Sequence, residues 1–323
     1  MNLSIRRAAF PADYAGIAGV LSAECPEWPT TVADLAHQDQ VRDTRFYRAV
    51  FVAEEAASGA EQLIGVASVG HNTQAHREGK FKLDIRVRPD MWGRGAGARL
   101  YQALMAHLAP LAPCELYTEV WAAHPRAVRF VTERGFVAVW ERVDSRLDVS
   151  RFDCTPYAGL EERVHALGID IQTYAELEHD PERLKKFYTL DRLLWRDVPF
   201  GEPLTPLSLE QFEKEEVQAA RFIPDACFIA VQEGAFVGYS NLTRSGAYYD
   251  TEMTGVLPMY RGKGVATLLK LYGIRYAQAH GNREIWTVND SVNRAAFALN
   301  ARLGFQRQGA TIRFVKRDPE RDR

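Results

Sequence analysis

The residues best equipped for chemistry in this chain are Arg261-Gly262-Lys263-Gly264-Val265-Ala266, placed between a strand-like run and a helix-like one. Small residues at a helix entrance leave its first N–H groups open to an anion. Those groups lack intrahelical partners, and the helix macrodipole favours negative charge beside them. Arg261 and Lys263 add donors whose charge-assisted bonds are each worth about 1.5–3 kcal/mol in good geometry. A phosphate suits such a cradle, although a tight structural turn uses the same glycines. Upstream, Asp250, Glu252 and Thr254 alternate along one face of the strand that feeds the turn. Carboxylates there either accept protons or form a solvated strand face.

The same frame occurs 169 residues earlier, where Val87-Arg88-Pro89-Asp90-Met91-Trp92-Gly93-Arg94-Gly95-Ala96-Gly97 precedes another helix-like run. Without a gap, 87–136 and 256–305 share Val87/Val256, Pro89/Pro258, Gly93/Gly262, Gly95/Gly264, Leu100/Leu269, Glu115/Glu284, Thr118/Thr287, Ala127/Ala296, Gly135/Gly304 and Phe136/Phe305. The identities gather on the glycines and the closing Gly-Phe. A period this long is a whole domain, too large for a solenoid unit. The length of 323 residues agrees with two domains. The repeat suggests domains over 1–152 and 169–323, with 153–168 as a linker or helical connector.

The elements that must position these residues follow one order twice. Short strands at Ser4–Ala8 and Ile169–Thr173 open each copy, and helices follow at Asp13–Ala23 and Pro181–Leu194. Second helices are expected over Thr31–Gln38 and Ser208–Ala220, the latter with Ser208 as its cap and Gln211 at the capping-box position. Hairpins pair Phe51–Glu54 with Leu63–Val69 and Phe228–Gln232 with Ala235–Leu242. Fourth strands at Lys80–Val87 and Tyr248–Val256 enter the glycine turns. Helices Ala98–Leu108 and Ala266–His280, strands Glu115–Trp121 and Glu284–Val288, then a helix ending in Gly-Phe and a last strand complete each copy. The fold class is α+β, a mixed, mostly antiparallel sheet flanked by helices, built twice.

Composition narrows the function. A hydrophobic share of 46% with 25% charged residues is that of a globular protein. A net charge of −2 supplies no electrostatic footprint for nucleic acid or an anionic membrane. No segment approaches the roughly 20 apolar residues of a membrane span, and a cytoplasmic protein is expected. Cys25, Cys114, Cys154 and Cys227 have no metal-ligand spacing, so no metal is expected. His71, His76, His107 and His124 are scattered. A Walker loop would need GxxxxGK[ST], which neither copy has, and a Rossmann fingerprint places its first glycine directly after the strand. Pro89 and Pro258 intervene here. A pyrophosphate held by a third kind of loop remains.

On these residues the chain resembles the GNAT N-acetyltransferases. Arg261-Gly262-Lys263-Gly264-Val265-Ala266 matches the family's Arg/Gln-x-x-Gly-x-Gly/Ala motif, and Val256-x-Pro258 with Asn293, Asn300 and Gly304-Phe305 fits the same pattern. The resemblance covers both copies, a tandem arrangement of the kind found in the mycothiol synthase branch. It implies acetyl-CoA as cosubstrate and an amine as acceptor. The pyrophosphate would lie against Arg261, Gly262, Lys263, Gly264, Val265, Ala266 and Thr267, with Asn293 nearby and the pantetheine arm along Thr254 and Val256. The fourth and fifth strands would splay to admit that arm. Direct transfer requires the ammonium to lose a proton, and Asp250 or Glu252 would receive it. Asn300 stands where many members carry a tyrosine that protonates the departing thiolate.

The first copy keeps Val87, Gly93, Arg94, Gly95, Ala96 and Gly97, but has Trp92 in place of the Arg/Gln and His124 in place of Asn293. The gap-free alignment puts Phe81 and Leu83 opposite Asp250 and Glu252. The first copy is therefore expected to be non-catalytic, with a weaker coenzyme A site or an empty one serving as a docking surface. A segment at Trp195–Pro206, with Asp197, Phe200 and Glu202, would lie where the family lines its acceptor pocket, although a packed Pro-rich loop is the somewhat favoured reading. The expected function is an N-acetyltransferase whose second copy does the chemistry, the alternative being an acetyl-CoA-binding sensor without turnover. The acceptor and the oligomeric state stay open.

Overall fold

Alternating and 3.6-residue apolar patterns set the elements of the computed structural model, which describes residues 3–26, 29–57, 60–198, 203–246 and 248–318. In chain order these are β1 (Leu3–Arg7), α1 (Tyr14–Glu24), α2 (Val32–Val41), β2 (Arg48–Ala57), β3 (Ala60–Gly70), β4 (Lys80–Val87), α3 (Ala96–Leu108), β5 (Glu115–Trp121), α4 (Pro125–Thr132) and β6 (Val137–Asp148). Then come α5 (Leu160–His165), β7 (Asp170–Thr173), α6 (Arg183–Trp195), α7 (Leu209–Phe212), β8 (Phe222–Gln232), β9 (Ala235–Ser245), β10 (Tyr248–Val256), α8 (Val265–Ala279), β11 (Glu284–Asp290), α9 (Arg294–Arg302) and β12 (Gln306–Arg317). Single 3-10 turns at Pro89–Met91 and Pro258–Tyr260 precede the two glycine turns. Phe200 and Glu202 lie outside the described residues.

The compact units do not coincide with consecutive halves of the chain. One comprises Met1–Trp140 and Ile312–Arg323, the other Glu141–Thr311. The first orders its strands β1-β2-β3-β4-β5-β12 and the second β6-β11-β10-β9-β8-β7. Each therefore takes its last strand from the other sequence repeat. In the second unit β6 pairs antiparallel with β11, from Asp148 opposite Glu284 to Arg142 opposite Asp290. Ion pairs fix the exchange. Arg146 reaches Glu284 at 2.8 Å, and in the first unit Arg317 reaches the repeat-equivalent Glu115 at 2.7 Å. Residues 153–168, read as a linker, include α5, whose Leu160 and Val164 are buried in the second unit's core.

Each sheet is covered on both faces. On one, α3 buries Leu100, Leu104 and Leu108 at four-residue spacing, and α8 buries Leu268, Leu269, Leu271 and Ile274. On the other, α1 packs Tyr14, Ile17 and Val20, while α6 packs Phe187, Leu190 and Leu194. Thr31 and Asp34 form a reciprocal capping box at α2. The helix expected over Ser208–Ala220 is cut short. Ser208 does cap it, accepting the Gln211 N–H at 3.1 Å, but α7 passes at once into a π-turn over Glu213–Val217. The wider turn lets Phe212 and Val217, five residues apart, reach one core cluster.

Candidate active site

The site is built where two parallel strands part. β10 pairs with β11 only from Tyr249 opposite Ile285 to Thr251 opposite Thr287, whereas its ladder with β9 runs on to Val256 opposite Gly238. The β11-facing edge of β10 beyond Thr251 therefore has no strand partner. β4 and β5 do the same, parting after Lys82 opposite Tyr117. The two copies differ in one respect. The β10–β9 register shifts between Thr251 and Met253, so Glu252 is the extra residue of a β-bulge. The β3–β4 ladder has no such shift. One residue more in β10 changes the correspondence upstream of the bulge. Asp250 pairs with Trp286 and Lys82 with Tyr117, and those partners are repeat equivalents. Lys82, rather than Phe81, is the counterpart of Asp250.

The glycine turns match closely. Gly95 and Gly264 both cap their helices at φ 87°, and Gly93 and Gly262 have φ 80° and 74°. Only glycine holds such values without strain. A Cβ on Gly262 would meet nothing within 4 Å, so this turn is open to a ligand. At Gly264 a Cβ would lie 2.7 Å from Leu160 Cδ1, so this glycine makes room for α5. Replacing it by valine would test packing as much as ligand approach. Val265 is buried, Ala266 and Thr267 are half-buried, and Lys263 is exposed with its Nζ 5.6 Å from the Tyr260 ring centre. In the first unit Arg94 is exposed, Ala96 buried and Gly97 half-buried.

Arg261 has a second task that its motif position did not disclose. Its Nε donates to the Val256 carbonyl at 3.0 Å, and its guanidinium pairs with Asp197. In the first unit Trp92 Nε1 donates to the Val87 carbonyl at 2.7 Å. Arginine and tryptophan thus tie the turn back to the same carbonyl at the strand's end. The substitution removes a charge and keeps the turn. Of the segment expected to line an acceptor pocket, Asp197 does reach the turn, through Arg261.

The two carboxylates of β10 have unlike surroundings. Asp250 is half-buried, and burial first, then the negative charges of Glu252 and Asp144, raise its pKa above the ordinary carboxylate value, while a hydrogen bond from Ser245 opposes them. No ion pair to Asp250 occurs among the described residues. Glu252 is ion-paired with Arg221 at 2.8 Å, and Arg221 also holds Glu216 of the π-turn at 2.9 Å. Burial raises the Glu216 carboxyl, and Glu252 adds to the effect against the pull of Arg221. Thr254 shares a hydrogen bond of 2.8 Å with Ser240. Sequence reading missed Glu216 and Arg221, which lie outside the repeated segment and carry no motif.

Asn293 caps α9, its side chain accepting the Ala296 N–H at 3.1 Å. Asn300 is only 3% exposed and donates to Asn289 at 2.6 Å. Its carboxamide can donate a hydrogen bond but is not an acid that protonates a thiolate. In the first unit the scattered histidines partly converge. His71 and His76 have ring centres 4.5 Å apart, and Tyr47 contacts both His71 and His107. Among the described residues no group of three or more His, Cys, Asp or Glu side chains could hold a metal ion, and no helix is long and apolar enough to cross a membrane.

Two parting parallel strands, the first of them followed by a glycine turn and a helix, define an acyl-CoA-type transferase fold in both units. The family model described as "Acetyltransferase (GNAT) family" matches residues 17–136 and again 187–305. The chain belongs to that family, as a tandem member, and is an acyltransferase. It is 25% identical over 267 residues to the mycothiol acetyltransferase of Amycolatopsis mediterranei (strain U-32), covering 78% of this chain and 80% of the relative. It is 26% identical over 262 residues to that of Paenarthrobacter aurescens (strain TC1), covering 79% and 75%. Among solved structures, a tandem GNAT protein from the clavulanic acid biosynthesis pathway superposes with a TM-score of 0.73 at 18% identity, over 98% of both chains. The fold is therefore the tandem one expected.

Proposed function

We propose that the second unit transfers an acetyl group from acetyl-CoA directly to a primary amine of a small molecule or peptide. The observation that carries this reading is the placement of Asp250. Its half-buried carboxyl stands on the last paired stretch of β10 and β11, one residue before they part, on the strand that feeds the open glycine turn. The residues present suit the cosubstrate. The first N–H groups of α8, the open face of Gly262 and the Lys263 ammonium form an anion cradle. The unpartnered edge of Met253–Val256 offers backbone groups to an amide-bearing arm.

Acetyl-CoA supplies the activated acetyl thioester. Asp250 accepts the proton of the incoming ammonium, directly or through a water, and its upward shift brings its basicity nearer the working pH. Glu252, engaged by Arg221, supports Asp250 instead of competing with it. Asn293 and Asn300 hold α9 and the end of β11 in place. The first unit has Lys82 at the place of Asp250, salt-bridged to Glu119 at 2.9 Å, and so has no base there. Resemblance to mycothiol acetyltransferases makes a small amine the acceptor class to try first. The test is release of free thiol from acetyl-CoA with a panel of primary amines, headed by the acceptor those relatives use. Amine-dependent release supports the transferase. Acetyl-CoA binding without release for any amine would favour a sensor.

A further inference from the structure

Arg221 lies immediately before β8, outside the repeated segment and away from the glycine turn. Its two guanidinium arms nevertheless end on two carboxylates from different elements, Glu216 of the π-turn at 2.9 Å and Glu252 of the bulge at 2.8 Å. Two departures from regular geometry, a π-turn and a β-bulge, are thus joined by one side chain. Both are local distortions that re-aim side chains, and both are enriched at functional sites. The Asn241 amide also approaches the second oxygen of Glu252, at 3.4 Å.

We infer that Arg221 is a positioning residue for the amine's proton transfer: through its ion pair it fixes the Glu252 carboxylate beside Asp250. The inference rests on the reading of Asp250 as the proton acceptor. Of the two carboxylates that Arg221 holds, Glu252 is the one on the strand of Asp250. The other groups in this field are Glu215 and Glu216 of the π-turn, Asp191 of α6, Cys227 of β8, Ser245 of β9 and Asp144 of β6. Asp191 is engaged by Tyr239 at 2.6 Å, Trp195 at 3.0 Å and Arg192 at 2.6 Å. Glu252 and Asp144 are the negative charges that raise Asp250, and Arg221 holds the first of them by an ion pair. Without the guanidinium, Glu216 and Glu252 would share a proton, and part of the fixed charge would be lost.

The test is the acid limb of the pH profile of kcat/KM for thiol release, in full-length protein. Glu252→Gln and Arg221→Met should each move the limb to lower pH by about half a unit or more. The double variant should move it no further than Glu252→Gln alone, because both changes act through the Glu252 carboxylate. Arg221→Lys should return the limb towards the wild-type position, which a loss of folding would not predict. KM for acetyl-CoA should change less than threefold in all of them. An unmoved limb in Arg221→Met, or shifts that add in the double variant, would overturn the inference. If Arg221→Met does not fold, an unmoved limb in Glu252→Gln overturns it equally. Failure of the underlying reading looks different: Asp250→Asn would then keep its turnover, whatever Arg221 does.

Discussion

At the scale of single residues, one position tells how the two copies diverged. Arg261 and Trp92 both donate to the carbonyl five residues upstream, so each side chain locks its turn, and only the arginine also brings a charge. Arg261→Trp should then preserve stability within about 1 kcal/mol, the usual cost of losing an exposed ion pair. It should weaken acetyl-CoA binding by roughly tenfold, on the scale of one charge-assisted bond; calorimetry and thermal melts separate the two effects. Asp250 is the second residue-scale case. Its folded-state pKa is raised, so the ionised form costs stability at neutral pH, and that cost fades as pH falls towards the ordinary carboxylate range. Asp250→Asn should therefore lose about 10²–10⁴ in turnover while melting at a higher temperature at pH 7.5. The two proteins should converge in stability near pH 4. A mutant that is both inactive and less stable would mean that the carboxylate is structural.

At the scale of elements, what the sequence disclosed depended on whether spacing or geometry carried the information. The glycine turns, the strands feeding them and the helices behind them could be read because left-handed turns demand glycine and core faces repeat at regular intervals. The bulge could not. One extra residue in β10 changes no residue type, and a gap-free alignment hid that Lys82 is the counterpart of Asp250. The π-turn was hidden too, because Ser208 caps a genuine helix start and helical pattern continues past Phe212. Along α8 the pattern also contains Lys270, whose Nζ is buried without a hydrogen-bond partner, 4.8 Å from the Phe305 ring centre. Burial alone lowers its pKa to about 7. A lowered ammonium pKa costs stability fully below pH 7, and the cost disappears as pH rises towards the unfolded value. Lys270→Met should raise the melting temperature at pH 6–7, and the gain should shrink steadily between pH 7 and 10. A constant gain across that range would mean that the lysine is not titrating in the fold.

On the scale of the whole molecule, the repeat gave the architecture and concealed the exchange. Equal halves are what a duplicated sequence suggests, yet β6 completes the second unit and β12 the first. Nothing in the pattern of a strand says which β-edge it joins. The information sits in pairs such as Glu115 with Arg317 and Glu284 with Arg146, which meet only in the folded chain. Phe314, 2% exposed, belongs to the first unit's core. Deleting 312–323 should accordingly raise amide exchange in β5 and α3 of the first unit, with β9 and β10 of the second little changed. The central claim is that the second unit performs acetyl transfer with Asp250 as base. Its most direct test is steady-state thiol release from acetyl-CoA with the best amine of the panel, comparing Asp250→Asn with Asp84→Asn, the carboxylate of the first unit's β4, which pairs with Arg86 at 2.8 Å. The account predicts a loss of at least about a hundredfold for the first and turnover within a few-fold of wild type for the second. A large loss for Asp84→Asn with Asp250→Asn still active would contradict it.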